Sequence, residues 1–220
     1  AKEMKVLISA GPTREKIDPI RFISNRSSGK MGYALAEAAL KAGNEVILVS
    51  GVVNIPPPDG VKLICIESAK EMSRQMKKYA KIADIIIMAA AVADYRPKHI
   101  SKQKIKKGAD KLIIELEKTE DILSSLAKTK RKEQILVGFA AETQNLIQNA
   151  KKKLLAKNLD FIIANDVSRN DIAFDNDYNE VFILSKNGHS IKIPRKSKKE
   201  IAQKIIKIIS ANFAKKSFCS

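Results

Sequence analysis

The sequence predicts an α/β fold: a Rossmann-like, mostly parallel sheet flanked by helices. Short apolar runs alternate with amphipathic stretches through the first hundred residues, and the same alternation resumes after residue 111. Near the C-terminus an Asn187-Gly188 pair joins two apolar runs, which adds an antiparallel hairpin at about 180–193.

Lys5 to Ser9 reads as the first strand, followed by a loop containing Gly11, Pro12 and Pro19. Met31 to Ala42 is Ala-rich and amphipathic, so it reads as a helix, with Gly43 as its stop. Glu45 to Ser50 is the next strand, Pro56-Pro57-Pro58 breaks the chain, and Val61 to Ile66 is another strand. Ser68-Ala69-Lys70-Glu71 is a capping box opening a helix to about Ile82, before a buried strand from Asp84 to Met88. Asp94 to Lys111 is polar, carries Pro97 and Gly108, and holds no apolar period. A long, mobile lid loop at about 95–111 is the expectation. Beyond it come a strand near Leu112 to Leu116, a helix from Asp121 to Lys128, a strand from Ile135 to Phe139, a helix from Leu146 to Lys157 and a strand from Asp160 to Ala164. Glu180 to Ser185 and His189 to Ile193 form the hairpin, and a last helix runs from Ser197 to about Phe213. With no internal repeat and no linker, residues 1–220 read as a single domain.

Forty-one basic residues against 24 acidic ones leave a formal charge of +17. That points to polyanions: nucleic acid, a membrane surface or phosphorylated small molecules. Two cysteines are too few for a disulfide framework, and neither His99 nor His189 has a second ligand at metal spacing. No apolar run approaches the roughly 18 residues of a membrane helix, and no signal-peptide pattern precedes the first strand. The reading is a cytoplasmic protein, not exported.

The densest chemistry lies between the first strand and the first helix, where open α/β sheets bind ligands. Ser27-Ser28-Gly29 enters the helix with small side chains and unpaired backbone N–H groups, an arrangement suited to a substrate anion or to an ordinary glycine-containing helix start. The spacing matches neither the dinucleotide nor the P-loop glycine fingerprint. Arg21 and Asn25, four apart in the same loop, offer a cationic fork and a neutral amide that suit an acyl phosphate, or serve singly as loop-stabilising or solvated side chains. At the end of a buried strand, Met88-Ala89-Ala90-Ala91-Val92-Ala93-Asp94 places small residues where a flat ring can lie. Asp94 follows at the rim, for ribose hydroxyls or a divalent metal, or as a plain strand-end acid. Lys104-Ile105-Lys106-Lys107 on the long loop can close over a polyphosphate or form a solvated face. Phe139 follows another strand among small residues, as pocket lining or core. Lys153 and Lys157 share a helix face, for phosphate or solubility.

Taken together, these segments resemble the phosphopantothenate–cysteine ligase family, whose bacterial form is often the C-terminal half of a bifunctional coenzyme A biosynthesis protein. Six ordered motifs carry the resemblance: Ala10 to Glu15 with Ile17-Asp18-Pro19, Ser24 to Gly32, Ala89 to Tyr95, Lys104 to Lys107, Gly138 to Thr143, and Lys157 to Asp160 before Ala164-Asn165-Asp166. The likeness implies that CTP, with Mg2+, activates the carboxylate of 4′-phosphopantothenate to an acyl-cytidylate, and that L-cysteine then displaces CMP. By resemblance Asn25 contacts the intermediate's carbonyl, Arg21 serves the second step and Lys104 is the lid lysine on the triphosphate. Met88, Ala89, Ala90, Asp94, Phe139, Lys153 and Lys157 match the nucleotide site. So does Glu120-Asp121-Ile122-Leu123, with Glu120 standing where the family shows proline. The family is usually dimeric; the 180–193 hairpin is one place for a subunit contact, and a decarboxylase domain can be linked. A nucleic-acid-binding protein and a nicotinamide-dependent reductase are the rival readings. The first is opposed by 5% aromatics and no reader motif, the second by the failed fingerprint and the lack of a Tyr-x-x-x-Lys pair.

Overall fold

The structure, a computed structural model, describes residues 3–108, 111–142, 144–166 and 177–218. In chain order the elements are β1 (Lys5–Ala10), β2 (Arg14–Lys16), β3 (Phe22–Ser24), α1 (Lys30–Lys41), β4 (Glu45–Ser50), β5 (Lys62–Cys65), α2 (Ala69–Ala80), β6 (Ile85–Met88), β7 (Tyr95–Pro97), β8 (Leu116–Lys118), α3 (Ile122–Thr129), β9 (Ile135–Glu142), α4 (Leu146–Ala156), β10 (Phe161–Asp166), β11 (Tyr178–Ser185), β12 (Ser190–Ser197) and α5 (Lys198–Phe218).

Eight strands form one sheet in the order β12-β11-β10-β9-β6-β1-β4-β5, parallel from β10 to β5 and closed at the other edge by the antiparallel β11–β12 hairpin. Strand alternation sorts the side chains. Val6, Ile8, Ile85 and Ile87 face α1 and α5, whereas Leu7, Ile86 and Met88 face α2, α3 and α4. β6 is buried on both faces, as its run Ile85-Ile86-Ile87-Met88 requires. The chain leaves β1 toward β4 on one side, while β6 continues to β9 on the other. The crevice beyond the carboxyl ends of β1 and β6 is therefore a topological switch point.

Capping matches the sequence where it is local. Ser68 Oγ accepts the Glu71 N–H at 3.2 Å, and Glu71 Oε2 accepts the Glu67 N–H at 2.8 Å. Where support is tertiary, the structure departs from expectation. The loop after β1 contains the β2–β3 hairpin, and the long polar loop begins as β7, paired antiparallel with β8. Three-residue strands carry too little period to register in sequence. The strand expected at Leu112–Leu116 is displaced to Leu116–Lys118, because it is those residues that pair in register with Tyr95–Pro97; Ile113 is 89% exposed. The 95–111 segment, expected to be mobile, is tethered at Lys98 N to Glu115 O and at Ser101 N to Ile17 O, both 3.0 Å. Ala109, Asp110 and Thr143 of the expected lid and strand-end motif lie outside the described residues.

Candidate active site

The site is built on backbone. Pro12 and Ala91 form a parallel bridge, and Ala91 N–H donates to Gly11 O at 2.9 Å while Thr13 N–H donates to Ala91 O at 3.2 Å. Two fully buried hydroxyls finish the junction: Ser9 Oγ accepts from Ala90 N at 3.1 Å, and Thr13 Oγ1 from Ala93 N at 2.9 Å. On the far side Thr119 donates its hydroxyl to Ala93 O at 2.5 Å and its N–H to Asp94 O at 2.9 Å. Residues 90–94 thus become a fixed wall, satisfied by partners from β1 and the loop that follows it on one side and from Thr119, next to β8, on the other.

Asn25 reaches this wall, its Nδ2 donating to Ala91 O at 3.3 Å and Val92 O at 3.2 Å. The amide expected to face an acyl or phosphoryl oxygen is engaged with backbone carbonyls here. Next in the chain, α1 begins at Gly29, whose φ of 77° lies in the left-handed region. A Cβ there would also stand 2.7 Å from Val53 Cγ1. The first turn carries no acidic residue and no side-chain cap at Gly29. The Ser27 and Ser28 hydroxyls reach the N–H groups of Gly29 and Lys30 only at 3.4 Å. Bonds of that length are weak, and the helix end carries a positive partial charge that favours an anion.

Two cavities adjoin along the wall and share Ala90, Val92, Asp94 and Phe139. One, of about 460 Å³, is lined by Asn25, Ser27, Ser28, Gly29 and Ala89. The other, of about 570 Å³, is lined by Met88, Glu120, Asp121, Ile122, Leu123 and Lys157. The remaining predicted cations stand elsewhere. Arg21 lines neither cavity; its guanidinium lies on Asp18, with Nη2 at 2.6 Å from Oδ2, instead of forming an open fork beside Asn25. Lys104 is exposed and lines neither. Lys153 pairs with Glu142 at 2.5 Å, outside both cavities, and Lys157 pairs with Asp121 at 2.8 Å. The shared face expected of the two lysines is therefore split between two acids: Lys157 is the C-cap of α4 and turns toward α3.

Residues 1–213 match the family described as the DNA/pantothenate metabolism flavoprotein C-terminal domain. The chain belongs to that family. It is 49% identical over 207 residues to the coenzyme A biosynthesis bifunctional protein CoaBC of Bacillus subtilis, covering 94% of this chain and 51% of that protein. The chain thus spans about half the length of the curated relatives it matches. Among solved structures, the C-terminal domain of CoaBC superposes with a TM-score of 0.83 at 45% identity, covering 96% of each chain. The DNA/pantothenate metabolism flavoprotein of Streptococcus pneumoniae gives 0.82 at 26% identity, over 95% of this chain and 99% of that one. The eight-stranded, mostly parallel α/β architecture is the one shared with the CoaBC domain.

Within this family frame, two residues of the larger cavity escaped the sequence reading, Lys118 and Thr119, while Val92 and Tyr95 lay inside the Ala89 to Tyr95 motif without a role of their own. Lys118 and Thr119 directly precede the 120–123 segment, so extending that motif by two residues finds them. On the smaller cavity Asn165 arrives from β10, inside the Ala164-Asn165-Asp166 motif, whereas Asn179 and Lys198 arrive from β11 and α5 and no local signal marks them. Asp94, at the rim of both cavities, fits a Mg2+ site of the one-carboxylate kind, in which phosphate oxygens and water complete the shell. No cluster of three or more metal-ligating side chains occurs among the described residues, so a cage made wholly of protein groups has no counterpart there. Among those residues no helix is long and apolar enough to cross a membrane.

Glu120 lines the larger cavity, but its carboxylate is taken up by α2 and α3. Lys77 holds it, Ser73 Oγ donates at 2.6 Å and Ser125 Oγ at 2.7 Å. The Lys77 ammonium and then the two hydroxyls pull this carboxyl down to about 2, from 4.5. Burial alone raises the Asp121 carboxyl, but Lys157 and the Ser124 donors outweigh it and leave it below the ordinary range. Because Glu120 is depressed in the folded state, its contribution to stability is complete above pH 4.5 and lost as pH falls toward 2. Glu120→Gln is expected to cost less than about 1 kcal/mol at neutral pH, the pair being surface-screened. Urea melts of variant and wild type should converge between those two pH values; a gap independent of pH contradicts the assignment.

Proposed function

We propose that this chain is a CTP-dependent phosphopantothenate–cysteine ligase, an acid–amino-acid ligase of coenzyme A biosynthesis. The observation that carries the reading is the pair of cavities joined at Ala90, Val92, Asp94 and Phe139. A nucleotide and a phosphorylated acid can occupy adjoining chambers whose contents meet at one shared wall. Membership of a family whose relatives include CoaBC supports the same assignment.

A carboxylate cannot expel oxide, so it must first gain a better leaving group. In the first step a carboxylate oxygen of 4′-phosphopantothenate bonds to the α-phosphorus of CTP, the α–β phosphoanhydride breaks, and pyrophosphate leaves. The amine of L-cysteine then attacks the acyl carbon, the acyl–phosphate bond breaks, CMP departs and the amine loses a proton. Met88, Ala90 and Phe139 give the base a small-residue and aromatic surface, and Lys157 supplies positive charge beside α3. The positive N-terminal end of α1, which lines the smaller cavity, receives an anionic group of the acid substrate. Mg2+ held at Asp94 would offset triphosphate charge. None of these roles needs a covalent nucleophile, and positioning and charge are enough to supply the rate.

The readiest test incubates protein with Mg2+, CTP, 4′-phosphopantothenate and cysteine. CMP and pyrophosphate should appear together, only when all are present, and faster than with ATP; folded protein yielding neither product defeats the proposal. Lys104→Ala is expected to lower the pre-steady-state release of pyrophosphate by about 10²-fold, the loss of one charge-stabilising donor. Release at the full rate removes Lys104 from activation. A cytoplasmic homodimer, joined in the longer protein to a decarboxylase domain, completes the proposal. Sedimentation of the purified chain tests the dimer.

A further inference from the structure

The Asp18 side chain is wholly buried, yet it belongs to neither cavity and has no part in the chemistry outlined above. Five hydrogen bonds converge on it: Ile20 N and Arg21 N on Oδ1, each at 2.8 Å, and Arg21 Nε, Arg21 Nη2 and Ile105 N on Oδ2, at 3.0, 2.6 and 3.2 Å. The first two are the local bonds of an Asp turn. The contacts to Ile105 are not local, for they cross from the loop after β1 to the middle of the arm between β7 and β8. Arg21 closes the pattern by donating Nη2 to Ile105 O at 3.0 Å. Both main-chain polar groups of Ile105 are thereby gripped by one ion pair, the N–H by the carboxylate and the C=O by the guanidinium. Ser101 N on Ile17 O adds a second tether four residues earlier.

We infer that Asp18 and Arg21 form a latch that seats the arm and so sets the position of Lys104, the residue adjoining Ile105. Asp18 is a positioning residue, and Arg21 acts on the lid through Ile105 in place of presenting a free fork to substrate. The inference rests on the ligase reading for its consequence in activation, though not for the latch itself. Charge-assisted bonds fix the lid backbone more firmly than neutral ones would, leaving the lysine side chain free to follow the triphosphate. The arm's own β7–β8 ladder is only three residues long and cannot hold its tip unaided.

Asp18→Asn separates the latch from the turn. An amide oxygen still accepts from Ile20 N and Arg21 N, but the amide N–H2 then meets the guanidinium and the Ile105 N–H, donor against donor. Hydrogen exchange of the Ile105 amide in the otherwise intact protein should quicken at least about tenfold in Asp18→Asn, with circular dichroism unchanged. Arg21→Gln should do the same without altering Asp18, which covers the case in which the first variant folds poorly. Should both variants leave Ile105 exchange at the wild-type rate, the latch is refuted whatever the enzyme's activity. In single-turnover assays Asp18→Asn should slow pyrophosphate release about tenfold or more while leaving the affinity for 4′-phosphopantothenate in place. Combined with Lys104→Ala it should add little, because both changes remove the same interaction. Independent, multiplying losses would show that Asp18 does not act through Lys104. Loss of exchange protection in a protein with no ligase activity at all would uphold the latch and count against the reaction instead.

Discussion

Asn25→Asp is expected to damage the second half of the reaction more than Asn25→Ala, although aspartate is the closer match in shape. Asn25 Nδ2 gives its two hydrogens to Ala91 O and Val92 O at 3.3 and 3.2 Å. An ionised carboxylate has none to give, so it would set negative oxygen against two carbonyl oxygens of the wall. Alanine merely leaves those carbonyls to water at the mouth of a cavity, which costs less. The wall carries Ala90 and Asp94, shared by both chambers, so disturbing it misaligns acyl carbon and amine together. An acyl oxygen seated beside Asn25 would draw one of these hydrogens as negative charge builds on it, a stabilisation the first step does not use. CMP release should therefore fall by about 10² to 10³-fold in Asn25→Asp, and less in Asn25→Ala. Pyrophosphate release should stay within a few fold, so that acyl-cytidylate accumulates. Rapid-quench measurement of the two products decides it: equal loss of both, or a milder effect of aspartate, contradicts the assignment.

The same contrast between local and tertiary cause explains what could be read from the sequence. Val6 to Ile8, Val46 to Val49 and Ile85 to Met88 are apolar runs bounded by polar or turn residues, and each became a central strand. Ser68 and Asp121 marked helix starts because the cap bonds span only three residues, to Glu71 N and Ser124 N. The small-residue segment at 88–94, the 120–123 segment and Phe139 also carried their position with them, as strand-end or helix-start motifs. Lys153 did not, since what takes it out of the cavity is Glu142, at the end of β9 and off its own helix. Arg21 is the instructive intermediate. Its partner Asp18 lies three residues back across Pro19, a local turn that the sequence does contain, while the bond from Arg21 to Ile105 becomes visible only in three dimensions. Of the +17 charge, many lysines are met by acids that folding selects, such as Asp177 for Lys30 and Glu67 for Lys16, so net charge was a poor guide to the site.

Gly32→Ala should damage activity through a single added carbon, because there packing and chemistry use the same atoms. Gly32 is buried in the first turn of α1 where that helix crosses the end of β1. A Cβ at this position would lie 2.4 Å from Ala10 Cβ, 3.0 Å from Ala10 Cα and 3.2 Å from Ser9 O. None of these atoms can swing aside: two belong to the backbone, the third is fixed to it, and Ser9 also accepts the Ala90 N–H through its hydroxyl. Relief must come from moving α1 off the sheet, at a cost typical of overpacking, about 1–3 kcal/mol. The same movement carries Gly29 and the N-terminal end of the helix away from the wall. Displacement by about 1 Å in a positioning element costs on the order of 10²-fold in rate. Activity should therefore fall much further than stability alone predicts, with the Michaelis constant for the anionic acid rising more than that for CTP. Thermal melts beside steady-state kinetics test this. A variant that loses stability yet keeps both Michaelis constants would show that the first turn of α1 takes no part in binding the acid.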